Sequence, residues 1–173
     1  MSKREKTVTR SFRISESAFK ALEDDARSRN VSVNTLVSQV LFAYAEWGRF
    51  IDKVGAIRTS KAAYMPLLNA ASDEAIIEAC RVSGPDTPKA LILAKHGELS
   101  LHTVLDFIRT ASTYGGYAEY NEVEREGKTI VTLIHDLGRK GSLYICEVVG
   151  STFRMINIHP KITTSDHSVV IEI

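Results

Sequence analysis

The sequence predicts an α+β protein built from an N-terminal unit of one short strand and two helices, followed by a larger C-terminal α+β domain. Three observations predict this class. Apolar and polar residues alternate from Thr7 to Ile14, apolar residues recur at spacings of three and four behind several serines, and the C-terminal half contains paired strand-like runs. The C-terminal domain is expected to be antiparallel hairpins covered by helices. We place the domains at residues 1–54 and 55–173.

Composition restricts the class of protein. The 173 residues are 44% hydrophobic and 25% charged, which is typical of a globular chain and not of a disordered or fibrous one. The longest apolar runs are too short to cross a bilayer, and the basic N-terminus is followed by no apolar signal segment. Cys80 and Cys146 lie far apart, so we expect reduced thiols. We therefore expect a cytoplasmic protein without a membrane partner.

The positive charge is concentrated at the N-terminus. The net charge of the chain is +1, yet up to Lys53 there are ten Lys and Arg residues against seven Asp and Glu residues. Five of the first thirteen residues are basic and only one is acidic. This distribution predicts a contact with a polyanion at the N-terminal tip, and a solvated chain end is the alternative interpretation.

The alternating segment from Thr7 to Ile14 predicts a short strand. One face carries Val8, Phe12 and Ile14, interrupted by Arg10, and the other carries polar residues: Thr7, Thr9, Ser11 and Arg13. A lone strand would leave its backbone N–H and C=O groups unpaired. Because no partner strand is nearby in the sequence, a second copy of the same strand is the simplest partner.

Two helices are predicted after this strand. Ser15 is a suitable N-cap for a helix running to about Arg29, Asn30 suits a left-handed residue that ends it, and Ser32 caps the next helix. Their apolar stripes are formed by Phe19, Leu22 and Ala26, and by Leu36, Val37, Val40, Leu41, Tyr44 and Trp47. A unit of about forty residues cannot bury a sufficient core alone, so oligomerisation is expected.

The strand TRSFRIS, the junction ISESAFKALEDDA and the turn with helix RNVSVNTLVSQVL together resemble the ribbon-helix-helix family of DNA-binding proteins, the Arc, MetJ and CopG group. The resemblance covers Thr7 to Trp47. It implies a homodimer whose paired strands form an antiparallel ribbon in the major groove of double-stranded DNA. Many relatives have Gly where Asn30 stands, and Asn tolerates the same left-handed conformation.

The resemblance also implies roles for individual residues. Arg13 would donate two hydrogen bonds to a guanine, worth ~1–3 kcal/mol of discrimination, although a solvated strand charge is its alternative role. Ser32 would hold a phosphate, or serve only as a helix cap. The bases would be read by Thr9, Ser11 and Arg13, with Thr7 at the margin. Phosphates would be bound by Ser32, Val33, Asn34, Lys3, Arg4 and Lys6, and the dimer core would contain Phe12, Ile14, Leu22, Leu36 and Val40.

The C-terminal region shows signals for both helices and hairpins. Residues 63–68 could form a strand, and Pro66 would confine that strand to the edge of a sheet. The run ALILA at residues 90–94 could be either strand or helix. Helices are expected behind Ser72, behind Ser100 and from Gly138 to about Phe153. Hairpins are expected at 117–135 and 156–173.

We find no catalytic or metal-binding pattern in the chain. The spacings of the five histidines and two cysteines fit no standard metal site, and the combination of Ser142 with His135 and Asp136 is expected by chance. The basic turn from Gly138 to Gly141 could hold an anion, but a plain entry loop of a helix is favoured. We therefore expect no enzyme activity, no metal and no cofactor, and we leave open a small-molecule or anion effector.

These observations predict a dimeric, sequence-specific transcriptional regulator, most simply a repressor. Its C-terminal domain would sense a ligand or assemble dimers into tetramers. The alternative is an antitoxin-like interaction module that autoregulates its own operon, in which the C-terminal part would mask a partner protein. A third class, an enzyme with a DNA-binding head, would require a deep pocket with converging polar groups in the C-terminal domain.

Overall fold

The computed structural model describes residues 7–173 and divides the chain into two compact units, Met1–Ala43 and Tyr44–Ile173. The sequence placed this boundary after residue 54. In the structure, residues 44–54 are part of the second unit, where they contact two helices at residues 86–96 and 101–115. We call the two parts the N-terminal unit and the C-terminal unit.

The N-terminal unit contains two helices, α1 (Glu16–Ser28) and α2 (Val33–Ala43). The Ser15 hydroxyl accepts a hydrogen bond from Ala18 N at 3.3 Å, and the Ser32 hydroxyl accepts one from Thr35 N at 3.0 Å. Asn30 adopts a left-handed φ of 53°, and Val31 N then donates to the Ala26 carbonyl at 3.0 Å. Both helices, both serine caps and the Asn30 turn are therefore confirmed.

The expected N-terminal strand is wrong, and with it the ribbon-helix-helix start of the fold. Residues 7–15 form neither helix nor strand, and every strand among residues 7–173 lies between 119 and 172. Alternation of polar and apolar residues reports two different faces, whereas a strand also needs a hydrogen-bonding neighbour. Within the described chain, the backbone of residues 7–14 makes no hydrogen bond to another main-chain group.

The C-terminal unit begins with a π-helical turn (Tyr44–Gly48), the short helix α3 (Arg49–Ile51) and a 3₁₀ turn (Asp52–Val54). This turn ends at Gly55, which adopts a left-handed φ of 68°, a conformation that glycine allows at no steric cost. Four helices follow: α4 (Lys61–Ala70), α5 (Asp73–Ser83), α6 (Asp86–His96) and α7 (Leu101–Gly115). The edge strand expected at residues 63–68 is wrong, because this run, with Pro66, lies inside the helix α4. The run ALILA, for which strand and helix were both open, is part of the helix α6.

The remainder of the unit is a four-stranded antiparallel sheet with one further helix. The elements are β1 (Glu119–Arg125), β2 (Lys128–Ile134), α8 (Gly138–Arg154), β3 (Lys161–Thr164) and β4 (Ser168–Glu172), and the strand order is β1-β2-β4-β3. Glu126 and Gly127 both have positive φ, the conformation of a two-residue hairpin turn. The two predicted hairpins, the helix between them and the α+β character of this region are confirmed.

The core lies between one face of this sheet and three helices, α6, α7 and α8. Phe153 of α8 and Val104 of α7 are completely buried against the sheet. The strand residues that face these helices are Val131, Leu133, Val169 and Ile171. A smaller cluster under α4, α5 and α8 contains Leu68, Ile76 and Cys80. This second cluster ties the helical half of the unit to α8.

Two features concern the chemistry of the chain as a whole. Cys80 and Cys146 are free thiols, and burial raises the pKa of both, so neither is an activated nucleophile at neutral pH. Among the helices described in residues 7–173, none combines the length and apolarity needed to cross a bilayer.

Candidate nucleic-acid interface

The segment of residues 7–14, which we call the exposed segment, contains the residues predicted to read DNA bases. All eight of its residues are exposed, including Val8 (75%) and Phe12 (74%). Thr7, Thr9, Ser11 and Arg13 are therefore accessible along the whole segment. The only side-chain hydrogen bond described for the segment runs from the Arg10 guanidinium to the Thr9 carbonyl, at 3.3 Å.

The start of α2 contains the residues predicted to bind phosphate. Ser32 caps the helix by accepting from Thr35 N, and its hydroxyl also lies 2.8 Å from the Thr35 hydroxyl. Ser32 and Asn34 are exposed and Val33 is half-buried. A shallow, open hollow of about 530 Å³ lies along this helix, lined by Asn34, Thr35, Ser38, Gln39 and Phe42. Lys3, Arg4 and Lys6, also predicted to bind phosphate, lie outside the described residues.

The five residues predicted for the dimer core differ in burial. Leu36 is buried and Leu22 is half-buried, whereas Phe12, Ile14 and Val40 are exposed. Leu41 and Phe42, which follow Val40, are also more than half exposed. The N-terminal unit therefore presents several large apolar side chains that its own two helices leave uncovered.

Charge in the N-terminal unit is also unevenly distributed. At the C-terminal end of α1, Arg27 pairs with Asp24 at 3.3 Å and Arg29 pairs with Asp25 at 2.9 Å. Arg10, Arg13 and Lys20 take part in none of the ion pairs described for residues 7–173. The uncompensated positive charge therefore lies in the exposed segment and the first half of α1.

In the C-terminal unit, the basic turn considered as an anion site already has internal partners. Arg139 forms a two-bond ion pair with Asp73, with both distances 2.7 Å. Lys140 donates to the carbonyl oxygens of Asn69 and Ala71, which end α4. These contacts fit the entry of a helix, which the sequence favoured for Gly138–Gly141.

His135 and Ser142, whose combination in the sequence looked accidental, contact each other. The Nδ1 atom of His135 accepts from Leu137 N at 3.2 Å, so in the neutral ring the proton is on Nε2. Nε2 then donates to the Ser142 hydroxyl at 2.9 Å, and this hydroxyl donates to the Ser165 carbonyl. Burial, followed by the charge of His167, lowers the pKa of His135. Ser142 is only 1% exposed, so a substrate does not reach it and the pair is structural.

A second polar cluster is centred on Asp106 of α7. Its carboxylate accepts from Lys95 Nζ at 2.7 Å, from His96 Nε2 at 2.9 Å and from Arg109. Burial alone would raise the pKa of Asp106, but the hydrogen bonds from Lys95, Arg109 and His96 lower it to about 2. Lys95 also donates to Glu46 in the π-helical turn, at 2.8 Å.

Sequence reasoning missed this cluster because its members come from three elements and share no spacing. The adjacent cavity, lined in part by Trp47 and Phe107, has a volume of about 10 Å³. This volume holds about one water molecule and no organic ligand. The Asp106 cluster is therefore an internal ion network that joins α6, α7 and the π-helical turn.

The histidines of the last hairpin do not face each other, because His159 precedes β3 and His167 lies in the turn before β4. Across residues 7–173, no three His, Cys, Asp or Glu side chains are grouped so that they could hold a metal ion. No protein-family model matches this chain, and no curated protein matches it significantly. The assignment of function therefore depends on the residues themselves.

Proposed function

We propose that this protein is a DNA-binding transcriptional regulator that acts as a homodimer and contacts DNA through its N-terminal unit. The observation that carries the proposal is the composition of the exposed segment, in which Thr9, Ser11 and Arg13 are accessible and Arg13 has no acidic partner among the described residues. A guanidinium and two hydroxyls that are free of internal partners are available to an external one.

These side chains suit the edges of base pairs. Arg13 can donate two parallel hydrogen bonds to the O6 and N7 atoms of a guanine, worth ~1–3 kcal/mol of discrimination. Thr9 and Ser11 can each donate or accept, and the Thr9 methyl group can contact the methyl group of a thymine. The exposed segment would therefore supply sequence preference, with Thr7 at its margin.

Affinity would come from phosphate contacts. Val33 and Asn34 supply N–H groups at the positive end of α2, next to the exposed Ser32 hydroxyl. Arg10, Arg13 and Lys20 add uncompensated charge, and Lys3, Arg4 and Lys6 precede them in the sequence. Each phosphate neutralised would steepen the salt dependence of binding by roughly 0.9 in logarithmic slope.

The uncovered apolar side chains of the N-terminal unit support the proposed homodimer. Burial of one large side chain such as Phe12 contributes about 1.5–3 kcal/mol, and each copy offers several such side chains: Val8, Phe12, Ile14, Val40, Leu41 and Phe42. A second copy covers an identical set at the same time. Two copies would also present two exposed segments, which suits an operator with inverted-repeat symmetry.

The C-terminal unit bears on the antitoxin alternative. An antitoxin segment that masks a partner folds when it binds that partner. The C-terminal unit has its own core between the sheet and three helices, so it supports a role in assembly or in sensing instead. Limited proteolysis of the full chain separates these roles, because an assembly domain yields a resistant C-terminal fragment and a masking segment does not.

The direct test is an electrophoretic shift of the full chain against a pool of random duplexes, repeated across salt concentrations. We expect retained duplexes to be enriched in one inverted repeat, with affinity falling linearly in log–log form as salt rises. Retention of all sequences equally, or no retention at low salt, would contradict the proposal.

A further inference from the structure

The four-stranded sheet of the C-terminal unit has two different faces. Alternate residues of a strand point to opposite faces, and the buried residues Val131, Leu133, Val169 and Ile171 assign one face to the helices. The other face, which we call the outer sheet face, carries the alternate positions in the same register. Its members are Glu119, Asn121, Val123, Arg125, Lys128, Ile130, Thr132, Ile134, Lys161, Thr163, Ser168, Val170 and Glu172.

At the middle of the outer sheet face, β1 and β2 carry uncharged side chains, most of them β-branched, and Glu172 of β4 lies beside Ile130. Val123 pairs with Ile130, and Thr132 lies between Asn121 and Val170 in the next row. Val123 is 56% exposed and Ile134 is 46% exposed. None of the apolar side chains of this face belongs to the core of the unit. Ile130, Thr132 and Val170 between them are half-buried, so the apolar surface of this face is small and partly accessible.

The charges of this face lie at its two ends and differ in sign. One end carries Arg125, Lys128 and Lys161, and there Glu172 pairs with both lysines. The opposite end carries Glu119, across from Ile134 on the neighbouring strand. Glu119 and Arg125 are the first and last outward positions of the same strand, β1.

We propose that the outer sheet face is a docking surface for a second copy of this chain. A two-fold axis that crosses the strands at mid-sheet reverses their direction and places β1 over β1. Arg125 of each copy then faces Glu119 of the other, and the uncharged centres pack together. The interface is isologous, because the same surface patch serves on both copies.

The size of the face determines how tight this contact is. Four strands spaced ~4.8 Å apart with a rise of ~3.3 Å per residue give about 400 Å² of flat area per copy. Two copies together would bury about 800 Å², less than the ~1,200–2,000 Å² of stable specific interfaces, so we expect a weak contact with a dissociation constant of micromolar order or weaker.

This inference is independent of the proposed function, since it uses no residue of the N-terminal unit. Where both surfaces are occupied, each chain has two different partners and the assembly is a tetramer of two dimers. Such a tetramer would bring two pairs of exposed segments into one particle.

The test is the mass of the full chain by light scattering and sedimentation, over about 10–500 µM. A Phe12→Ser background is used to weaken association through the N-terminal unit. We expect this variant to form dimers as concentration rises, and the added change Thr132→Arg to weaken them about tenfold or more, because it places a charge in a desolvated interface. Thr87→Arg, the same change on the exposed surface of α6, is the matched control and leaves the mass unchanged.

A charge exchange identifies the geometry. Arg125→Glu and Glu119→Arg each weaken association, and the double variant restores it, because the two-fold axis pairs these residues across copies. If Thr132→Arg has no effect on mass in either the wild-type or the Phe12→Ser background, the proposal is overturned. The result for Phe12→Ser alone tests the N-terminal dimer separately.

Discussion

The imidazole of His135 and the hydroxyl of Ser142 lie 2.9 Å apart, between the end of β2 and the second turn of α8. The ring accepts from Leu137 N on its other nitrogen, and the Ser142 hydroxyl donates a hydrogen bond to the carbonyl of Ser165. This chain of hydrogen bonds connects β2, α8 and the β3–β4 turn, and Leu137 N keeps its acceptor only while His135 is neutral.

We predict that the protein loses stability as pH falls below about 6.5, the pKa of an unperturbed histidine. Burial and the neighbouring His167 and Lys61 lower the pKa of folded His135, although Asp136 opposes this shift. The unfolded chain therefore binds the proton more readily, and the stabilisation is complete above the unfolded pKa and declines toward the lower folded pKa. Urea unfolding midpoints across this pH range measure the effect.

The control for this prediction separates His135 from the other histidines. His135→Gln removes the titrating group, so the difference in midpoint between neutral and mildly acidic buffer becomes smaller. His102→Gln, at an exposed position of α7, leaves that difference as it is in the unmodified chain. An unchanged pH dependence in His135→Gln would show that another group is responsible.

We predict that Asp106→Asn destabilises the folded state by about 2–3 kcal/mol, because Lys95 and Arg109 lose the carboxylate that compensates them. The matched change Asp24→Asn breaks an exposed ion pair with Arg27 and costs about 0–0.5 kcal/mol. Denaturant titration of both variants at neutral pH gives the comparison. Equal costs would mean that the Asp106 network adds nothing beyond a surface pair.

We predict that Arg13→Ala reduces the preference for the selected operator over random DNA by about tenfold to a hundredfold, the loss of one bidentate base contact. The fold is unaffected, since Arg13 is exposed and supports no core. Arg27→Ala removes the same charge at the far end of α1 and keeps the preference. Competition shifts at fixed salt, with circular dichroism of both variants, provide the readout. Unchanged preference in Arg13→Ala would remove this residue from base recognition.

We predict that Phe12→Ser weakens association through the N-terminal unit by about a hundredfold, because two copies each lose ~1.5 kcal/mol or more of apolar burial. Ile57→Ser changes an even more accessible apolar residue, in the C-terminal unit, and has no effect. Sedimentation equilibrium of the full chain measures both variants. If the two variants behave alike, Phe12 is not part of an interface.

Local signals account for most of what could be predicted from the sequence. Serine caps, the Asn30 turn and the Glu126–Gly127 hairpin turn each depend on residues within a few positions, so the pattern alone identifies them. The prediction of a strand at residues 7–14 was wrong for the opposite reason. Its alternation is local, but pairing requires a neighbouring strand, and residues 7–173 provide none for it.

Pro66 shows a different limit of prediction from the sequence. Proline disfavours the interior of a helix, yet α4 retains it, because Ser60 caps the helix and Leu68 is buried in the smaller core cluster. The Asp106 network and the His135–Ser142 pair could not be predicted for a related reason. Each forms only when separate helices and strands have packed, and no spacing in the sequence records that packing.

The strand order β1-β2-β4-β3 has a consequence for the time course of folding. The strands of each hairpin are joined by a short turn, so both hairpins can form within microseconds. The pairing of β2 with β4 joins residues more than thirty positions apart in the sequence, and α8 lies in the segment between them. The pairing of β2 with β4 is therefore the slow, entropically costly step of folding. Until these two strands pair, a nascent chain exposes two separate hairpins with unpaired edges.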